Sequence, residues 1–295
     1  MTAQNTDRTA SDTAPTGGPA TGAAPGPVPP PRRTGAPVWY ELTTHDLDGA
    51  LAFYTALFGW RFEDQGPGFG HHRMIHHDGV PVAGATTSLV GPDGPAEEPV
   101  APTAWTVYLQ AEDLAATLER ARAAGAEVLT DRMPVGGLGA MALLLDPGRG
   151  AVGLWEPAEF AGTGDSGRPG TPVWCEELST DYDAALPFYR DVLGWDVHEM
   201  PAEQAAAMGE GFRYAMHGPE ETAVAGLCDA RGWFPEGSGS VWQVYWGVPD
   251  LDAALERVRE LGGTVADGPE DSPYGRLATV ADPQGARFVV IGVDG

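Results

Sequence analysis

Residues 37–60 read PVWYELTTHDLDGALAFYTALFGW, and residues 172–195 read PVWCEELSTDYDAALPFYRDVLGW. The two stretches align without a gap and are identical at 12 of 24 positions, several of them bulky aromatic residues. Each begins with strand-forming residues and continues with apolar residues at helical spacing. The candidate helix caps are Asp46 or Asp48 in the first stretch and Asp181 or Asp183 in the second. The repeat indicates that the chain contains two copies of one unit.

A shorter version of this pattern recurs in each copy, at residues 104–128 and 241–265. Each recurrence predicts a strand, an acidic cap and an amphipathic helix, and strands that turn at DPGRG or DPQG follow it. The chain is therefore predicted to contain four βαβββ modules, which form an α+β fold. The predicted division is a disordered tail at 1–36, a first domain at 37–157, a linker at 158–171 and a second domain at 172–293.

Composition limits the kinds of partner. Residues 1–36 are rich in Pro, Gly, Ala and Thr and hold too few large apolar side chains to form a core. The net charge of −25 disfavours nucleic acids and membrane surfaces as partners, so a small molecule is expected. The chain has no Lys, which excludes Schiff-base catalysis by a lysine. Its two cysteines fit a reducing cytoplasm, and a monomer or a homodimer remains open.

The paired βαβββ modules, the stretch VWYELTTHDLDGALAFYTALFGW and the D-P-x-G-like turn resemble the vicinal oxygen chelate superfamily. That superfamily includes glyoxalase I, bleomycin- and fosfomycin-resistance proteins and extradiol dioxygenases. The resemblance covers nearly everything after residue 36 and implies a divalent metal bound by His or Gln, His and Glu. In the first half, the resemblance places these three ligand positions at Trp39, Trp105 and Gly153. In the second half, it places them at Trp174, Trp242 and Val289.

Indole has an N–H donor and no lone pair that could bind a cation. The alignment therefore predicts a metal-independent protein without a cofactor. Alternation along a strand puts Trp39, Glu41 and Thr43 on one face, and Trp174 and Glu176 are spaced in the same way. Glu177 leaves open which carboxylate of the second copy points inward. A carboxylate beside indole walls is poorly solvated, so Glu41 and Glu176 are the predicted proton carriers.

The sequence HHRMIHH at 71–77 is the alternative metal-binding candidate. His72 and His76 face the same way in a strand, but lie roughly 13 Å apart there, which is too far for one ion. A turn could bring them together, with Glu41 as a third ligand.

The leading hypothesis is an acid–base enzyme that catalyses cyclisation, dehydration or isomerisation of an aromatic, polyketide-like molecule. The predicted substrate-binding residues are Trp39, Trp105, Trp174, Trp242, Trp246 and Thr43. A non-catalytic protein that sequesters a drug or metabolite is the first alternative. A metal-dependent enzyme of the glyoxalase or dioxygenase type is the second.

Overall fold

The computed structural model describes residues 32–91 and 94–294. The predicted tail therefore lies outside the described residues as far as residue 31. Residues 32–36 are part of the folded protein: the Arg32 guanidinium donates to the carbonyls of Pro37 and Thr163 at 2.9 and 2.6 Å. The amide of Gly35 donates to the carbonyl of Gln110 at 2.8 Å. The folded part of the chain thus begins before the repeat.

Four βαβββ modules make up the described chain. The first two contain β1 (Pro37–Thr44), α1 (Leu47–Phe58), β2 (Arg61–Asp64), β3 (Arg73–His77), β4 (Val80–Thr87), β5 (Val90–Gly91), β6 (Gly94–Pro95), β7 (Ala104–Gln110), α2 (Leu114–Ala123), β8 (Glu127–Val135), β9 (Gly139–Leu145) and β10 (Ala151–Pro157). The last two contain β11 (Pro172–Ser179), α3 (Tyr182–Asp191), β12 (Val197–Glu199), α4 (Ala202–Met208), β13 (Tyr214–His217), β14 (Gly226–Asp229), β15 (Val241–Val248), α5 (Leu251–Glu260), β16 (Thr264–Ser272), β17 (Gly275–Ala281) and β18 (Arg287–Gly292).

Each half forms one eight-stranded sheet. The strand order is β2-β3-β4-β1-β7-β10-β9-β8 in the first half and β12-β13-β14-β11-β15-β18-β17-β16 in the second. The first strands of the paired modules lie side by side and antiparallel at the centre of each sheet, as β1 with β7 and as β11 with β15. Modules therefore pair within a half, and the α+β fold of four βαβββ modules is confirmed.

The acidic caps lie where the sequence places them. The side chains of Asp46 and Asp181 accept hydrogen bonds from the backbone amides of Gly49 and Ala184. Helix α1 ends at Gly59, whose φ of 73° is the left-handed conformation that glycine adopts most easily. Among residues 32–91 and 94–294, no helix is long and apolar enough to cross a membrane.

The two halves share one hydrophobic core. It contains the buried faces of both sheets and of the helices α1, α2, α3 and α5. Phe288 of the second half packs against the aromatic rings of Phe53, Tyr54 and Phe58 of α1, with ring centroids 5.6 to 6.5 Å apart. Neither half could bury these aromatic side chains by itself.

Reciprocal hydrogen bonds cross between the halves. The Tyr54 hydroxyl donates to Asp282 at 3.1 Å, and the Tyr189 hydroxyl donates to Asp146 at 2.8 Å. Both carboxylates belong to the D-P turns of the opposite half. In the same way, the indole N–H groups of Trp60 and Trp195 donate to the carbonyls of Gly170 and Gly35, at 2.8 and 3.1 Å. Residues repeated in the sequence therefore hold the two copies together.

The structure corrects the placement of three predicted substrate-binding residues. Trp105, Trp242 and Trp246 lie on the core face of their sheets, and each is 6% exposed or less. The indole N–H groups of Trp105 and Trp242 donate to the hydroxyls of Tyr54 and Tyr189, at 3.0 and 2.9 Å. These three predicted substrate-binding residues therefore build the shared core and do not lie beside Trp39 and Trp174.

Glu177 is the acidic residue that interrupts this core. Its side chain is fully buried, and neither carboxylate oxygen has a hydrogen bond of normal geometry. Burial raises the pKa of Glu177 well above its usual range, and the nearby negative charge of Asp146 raises it further. Burial also raises the pKa of Asp146. Two buried carboxyl groups therefore share a region where ionisation is costly.

Replacing Glu177 with Leu, the residue at the matching position 42, should stabilise the protein at neutral pH. Removing a poorly partnered buried carboxyl should raise the free energy of unfolding by about 1–3 kcal/mol. For a chain of this size, each kcal/mol corresponds to roughly 2–4 °C of Tm. The gain in stability over the native chain should grow as the pH rises from about 5. Glu177 of the native chain ionises at a lower pH when unfolded than when folded, so a rising pH stabilises its unfolded state. Differential scanning calorimetry between pH 4 and pH 8 measures it.

The matched control is Glu236→Leu, in an exposed loop, which should leave Tm unchanged. Glu177→Gln removes the ionisation alone and should lose most of the pH dependence. A Tm for Glu177→Leu below that of the native chain at pH 8 would contradict this account.

Candidate functional site

The sheet faces that point away from the shared core carry the predicted proton carriers. On β1, Glu41 lies opposite Thr106 while Leu42 lies opposite Trp105, so alternation separates Glu41 from the core. Thr43 follows Glu41 by two residues and shares its face. The same register on β11 puts Glu176 opposite Gln243. We call these two surfaces the open faces of the first and second halves.

On the second open face, two phenol groups donate hydrogen bonds to one carboxylate. The Tyr214 hydroxyl donates to Oε2 of Glu176 at 2.6 Å, and the Tyr245 hydroxyl donates to Oε1 at 2.5 Å. The indole N–H of Trp174 donates to the Tyr214 hydroxyl at 3.1 Å. All four side chains are partly exposed. We call Trp174, Glu176, Tyr214 and Tyr245 the second cluster.

Apolar side chains border the second cluster on the same face. Leu178, Cys228 and Ala230 are buried there, and Phe212 and Phe234 pack against them. The Phe212 ring stacks on Tyr214, with centroids 6.2 Å apart and planes 8° apart. The cluster is therefore a polar centre beside an apolar aromatic wall, which suits a flat ligand with a few oxygen atoms.

The first open face carries a related but different group. The Glu41 carboxylate accepts from the Trp39 indole N–H at 3.1 Å and lies 3.0 Å from Nε2 of His72. Burial raises the pKa of Tyr108, and the nearby negative charge of Glu41 raises it further. The ring of Tyr108 packs over Gly153. We call Trp39, Glu41, His72 and Tyr108 the first cluster. His72 holds the place that Tyr214 has in the second cluster, since each contacts the glutamate beside a glycine of the neighbouring strand.

The segment after β10 covers the first cluster. Phe160 packs edge-on against Trp39 with ring centroids 5.0 Å apart, and its carbonyl accepts from the Trp155 indole N–H at 2.9 Å. Both the amide and the hydroxyl of Thr163 donate to the carbonyl of Val38. The side chain of Glu41 is left 12% exposed. The first cluster thus has a cover of its own, built by the segment after β10.

Electrostatics also separate the clusters. Burial raises the pKa of Glu176, and the hydroxyls of Tyr214 and Tyr245 oppose that shift because they stabilise the carboxylate. For His72, burial lowers the pKa, but the carboxylate of Glu41 outweighs burial and the net pKa is raised. The first cluster therefore favours an imidazolium–carboxylate pair. The second cluster holds a carboxyl group whose pKa is raised.

The residues at the family's metal positions do not form a donor set. Trp39 and Trp174 offer no lone pair. A Cβ at Gly153 would overlap the Tyr108 ring, so no glutamate fits there. His76 lies 4.0 Å from Glu63 and does not join Glu41 and His72. Within residues 32–91 and 94–294, no group of three or more His, Cys, Asp and Glu side chains could hold a metal ion.

Sequence reasoning missed three partners of the glutamates. Tyr214 and Tyr245 lie 38 and 69 residues after Glu176, and only strand pairing brings them to it. A signal existed for Tyr245, because Tyr108 and Tyr245 occupy the same place in the second and fourth modules. His72 was considered as a metal ligand rather than as the partner of Glu41.

The fold and these clusters define a protein of paired βαβββ modules in which each open face carries a glutamate with hydrogen-bonding partners. The family model described as Glyoxalase/Bleomycin resistance protein/Dioxygenase superfamily matches residues 36–152 and 173–290. The chain therefore belongs to this superfamily, as the sequence resemblance indicated.

Curated relatives are similar over most of the chain. The anthracycline biosynthesis proteins DauV, from Streptomyces sp. (strain C5), and DnrV, from Streptomyces peucetius, are each 34% identical over 267 residues. Each alignment covers 87% of this chain and 93% of the relative.

Solved structures share the fold at low identity. The Mn(II)-bound glyoxalase from Novosphingobium aromaticivorans has a TM-score of 0.55 at 16% identity, over 88% of this chain and 82% of that one. The 2,3-dioxygenase LapB from Pseudomonas sp. KL28 has a TM-score of 0.57 at 13% identity, over 89% and 94%.

The imidazole of His72 should titrate above its ordinary pKa of about 6.5. Glu41→Gln should bring the pKa below that value, because burial then acts without the opposing carboxylate. Two-dimensional NMR of the histidine rings, assigned with His72→Gln, measures the shift. The control Glu63→Gln, beside His76, should leave His72 unchanged, and an unshifted pKa in Glu41→Gln would contradict the pairing.

The carboxyl of Glu176 should titrate above the ordinary glutamate pKa of about 4.3. Tyr214→Phe and Tyr245→Phe should each raise the pKa further, because each removes a donor that stabilises the charged form. Carbon-13 NMR of labelled glutamate carboxyls reports the change, with exposed Tyr274→Phe as control. A fall in the pKa in either variant would show that the phenols do not donate to Glu176.

Proposed function

We propose that this protein is an acid–base enzyme that catalyses cyclisation, dehydration or isomerisation of an aromatic, polyketide-like small molecule. The observation that carries the proposal is the second cluster, in which two phenols hold the carboxyl of Glu176 on a partly exposed face beside aromatic walls. Glu41 is the corresponding candidate of the first half, but His72 already pairs with it, so Glu176 is the leading one.

The proposed step moves protons and leaves the oxidation state unchanged. The carboxylate of Glu176 removes a proton from a carbon next to a carbonyl group, and the electron pair of that C–H bond forms an enolate. Tyr214 and Tyr245 hold the carboxylate in position by donating their O–H groups to it. When Glu176 takes up the proton, it no longer needs both donors, and a phenol O–H is released to donate to the enolate oxygen. The protonated Glu176 then returns the proton to carbon or oxygen. A carboxyl with a raised pKa suits both halves of this cycle near neutral pH.

The proposed substrate class rests on the wall of the site and on the relatives. Trp174, Phe212 and Phe234 provide flat apolar surface around a small polar centre. The names of DauV and DnrV connect those two proteins with anthracycline biosynthesis. A planar aromatic compound that carries carbonyl and hydroxyl groups fits both observations.

We further propose that the protein acts in the cytoplasm. Its cysteines, Cys175 and Cys228, are both free and buried. A reducing compartment keeps such thiols unpaired.

A direct test is deuterium exchange from D2O into the methyl group of 2-acetylnaphthalene, followed by NMR. The native protein should accelerate this exchange, and Glu176→Gln should lower the rate about 100-fold or more, since a positioned general base contributes about 10²–10⁴-fold. Glu41→Gln should retain most of the rate. Dialysis against EDTA should leave the rate unchanged, because the metal positions lack donors.

Binding of 2-acetylnaphthalene without accelerated exchange would contradict the enzyme proposal and favour a sequestering protein. Loss of the exchange on EDTA treatment, with recovery on addition of a divalent metal, would favour a metal-dependent enzyme. The variant Glu256→Gln, at an exposed position of helix α5, controls for unspecific effects of removing a carboxylate.

A further inference from the structure

A cavity of about 330 Å³ lies where the two halves meet, beside the second cluster. The segment before β1, the linker, the beginning of β11 and the loop before β14 all contribute to its lining. Its volume lies at the lower end of the range for small-molecule sites, about 300–1,000 Å³. Junctions between domains are common places for such sites.

Two adjacent cations line this cavity. Arg32 and Arg33 are both among its lining residues, and no Asp or Glu is. Neither arginine forms an ion pair with a carboxylate of residues 32–91 and 94–294. In a chain with 42 acidic and 17 basic residues, a cavity with two arginines and no acid is unusual. It concentrates positive charge on an otherwise acidic protein.

The two arginines are held differently. The guanidinium of Arg32 is fixed by its bonds to the carbonyls of Pro37 and Thr163. Arg33 is exposed, and among residues 32–91 and 94–294 its side chain makes one long hydrogen bond, 3.4 Å to the carbonyl of Thr222. Toward that part of the chain, most N–H donors of Arg33 are unused, and a guanidinium presents them in the planar arrangement that a carboxylate accepts.

Apart from Ser166, the rest of the lining is apolar or aromatic. It includes Tyr40, Val173, Trp174 and Val224. Trp174 also belongs to the second cluster, where its indole N–H donates to Tyr214. The cavity and the second cluster therefore share one residue, although their polar groups are separate.

We propose that this cavity is a second binding site, which takes a small planar aromatic carboxylate. Arg33 binds the carboxylate, and the aromatic and aliphatic lining holds the ring. The site stands independently of the proposed reaction at Glu176, because its charged group and its lining, apart from Trp174, lie outside the second cluster.

Isothermal titration calorimetry of the full chain with 2-naphthoate and with neutral 2-naphthamide tests the proposal. The native protein should bind 2-naphthoate at least about 10-fold more tightly, since a charge-assisted hydrogen bond contributes about 1.5–3 kcal/mol. Arg33→Gln should remove this preference. Arg61→Gln, which alters an exposed arginine of β2, should change the Kd less than about twofold. Ala223→Phe, which fills the cavity and keeps both arginines, should abolish binding.

Equal affinity for the acid and the amide would overturn the proposal, as would a Kd for 2-naphthoate that neither Arg33→Gln nor Ala223→Phe changes. Loss of 2-naphthoate binding in Glu176→Gln, with retention in Arg33→Gln, would place the probe in the second cluster and also overturn it. Retention of 2-naphthoate binding in a Glu176→Gln protein that has lost deuterium exchange would support two separate sites. Failure of the exchange reaction alone leaves the cavity proposal standing.

Discussion

Two short chains of hydrogen bonds, each running from indole to phenol to carboxylate, connect the halves of this protein. Trp105 donates to Tyr54, which donates to Asp282 of the other half, and Trp242, Tyr189 and Asp146 repeat the arrangement. These groups are buried, where unmade hydrogen bonds are costly. The aromatic rings around them also need the opposite half to exclude water. The orientation of both open faces depends on this shared core, because the core-facing side of each sheet decides which residues point away from it.

The dependence of the open faces on the shared core explains which features could be predicted from the sequence and which could not. The repeated aromatic residues and acidic caps were sufficient to predict four modules in two domains, since the same periodicity occurs four times. Alternation along β1 correctly separated Glu41 from Leu42, because the strand crosses the centre of the sheet. Alignment alone could not assign Trp105, since its face depends on its partner on β1, and that partner is Leu42. Tyr214 reaches Glu176 only through strand pairing, which a single sequence does not display.

The two clusters differ in the partners of their glutamates, and their chemistry differs accordingly. In the first, an imidazole pairs with Glu41, and in the second a phenol donates to Glu176. An imidazole beside a carboxylate favours a pair of opposite charges, whereas phenols leave the carboxyl without a cationic partner. The packing of Phe160 on Trp39 adds a steric difference. Two related surfaces thus carry one carboxylate beside an imidazole and one carboxyl group beside two phenols.

The exchange of contacts around Gly35 and Gly170 has an evolutionary consequence. Each glycine precedes the first strand of its own half and accepts a hydrogen bond from a tryptophan of the other, with φ of 78° and 77°. An ancestor of half this length could satisfy the same contacts only by associating with an identical subunit. A single chain that contains both copies does not require them to be identical. One copy can therefore carry an imidazole, at His72, where the other carries a phenol, at Tyr214.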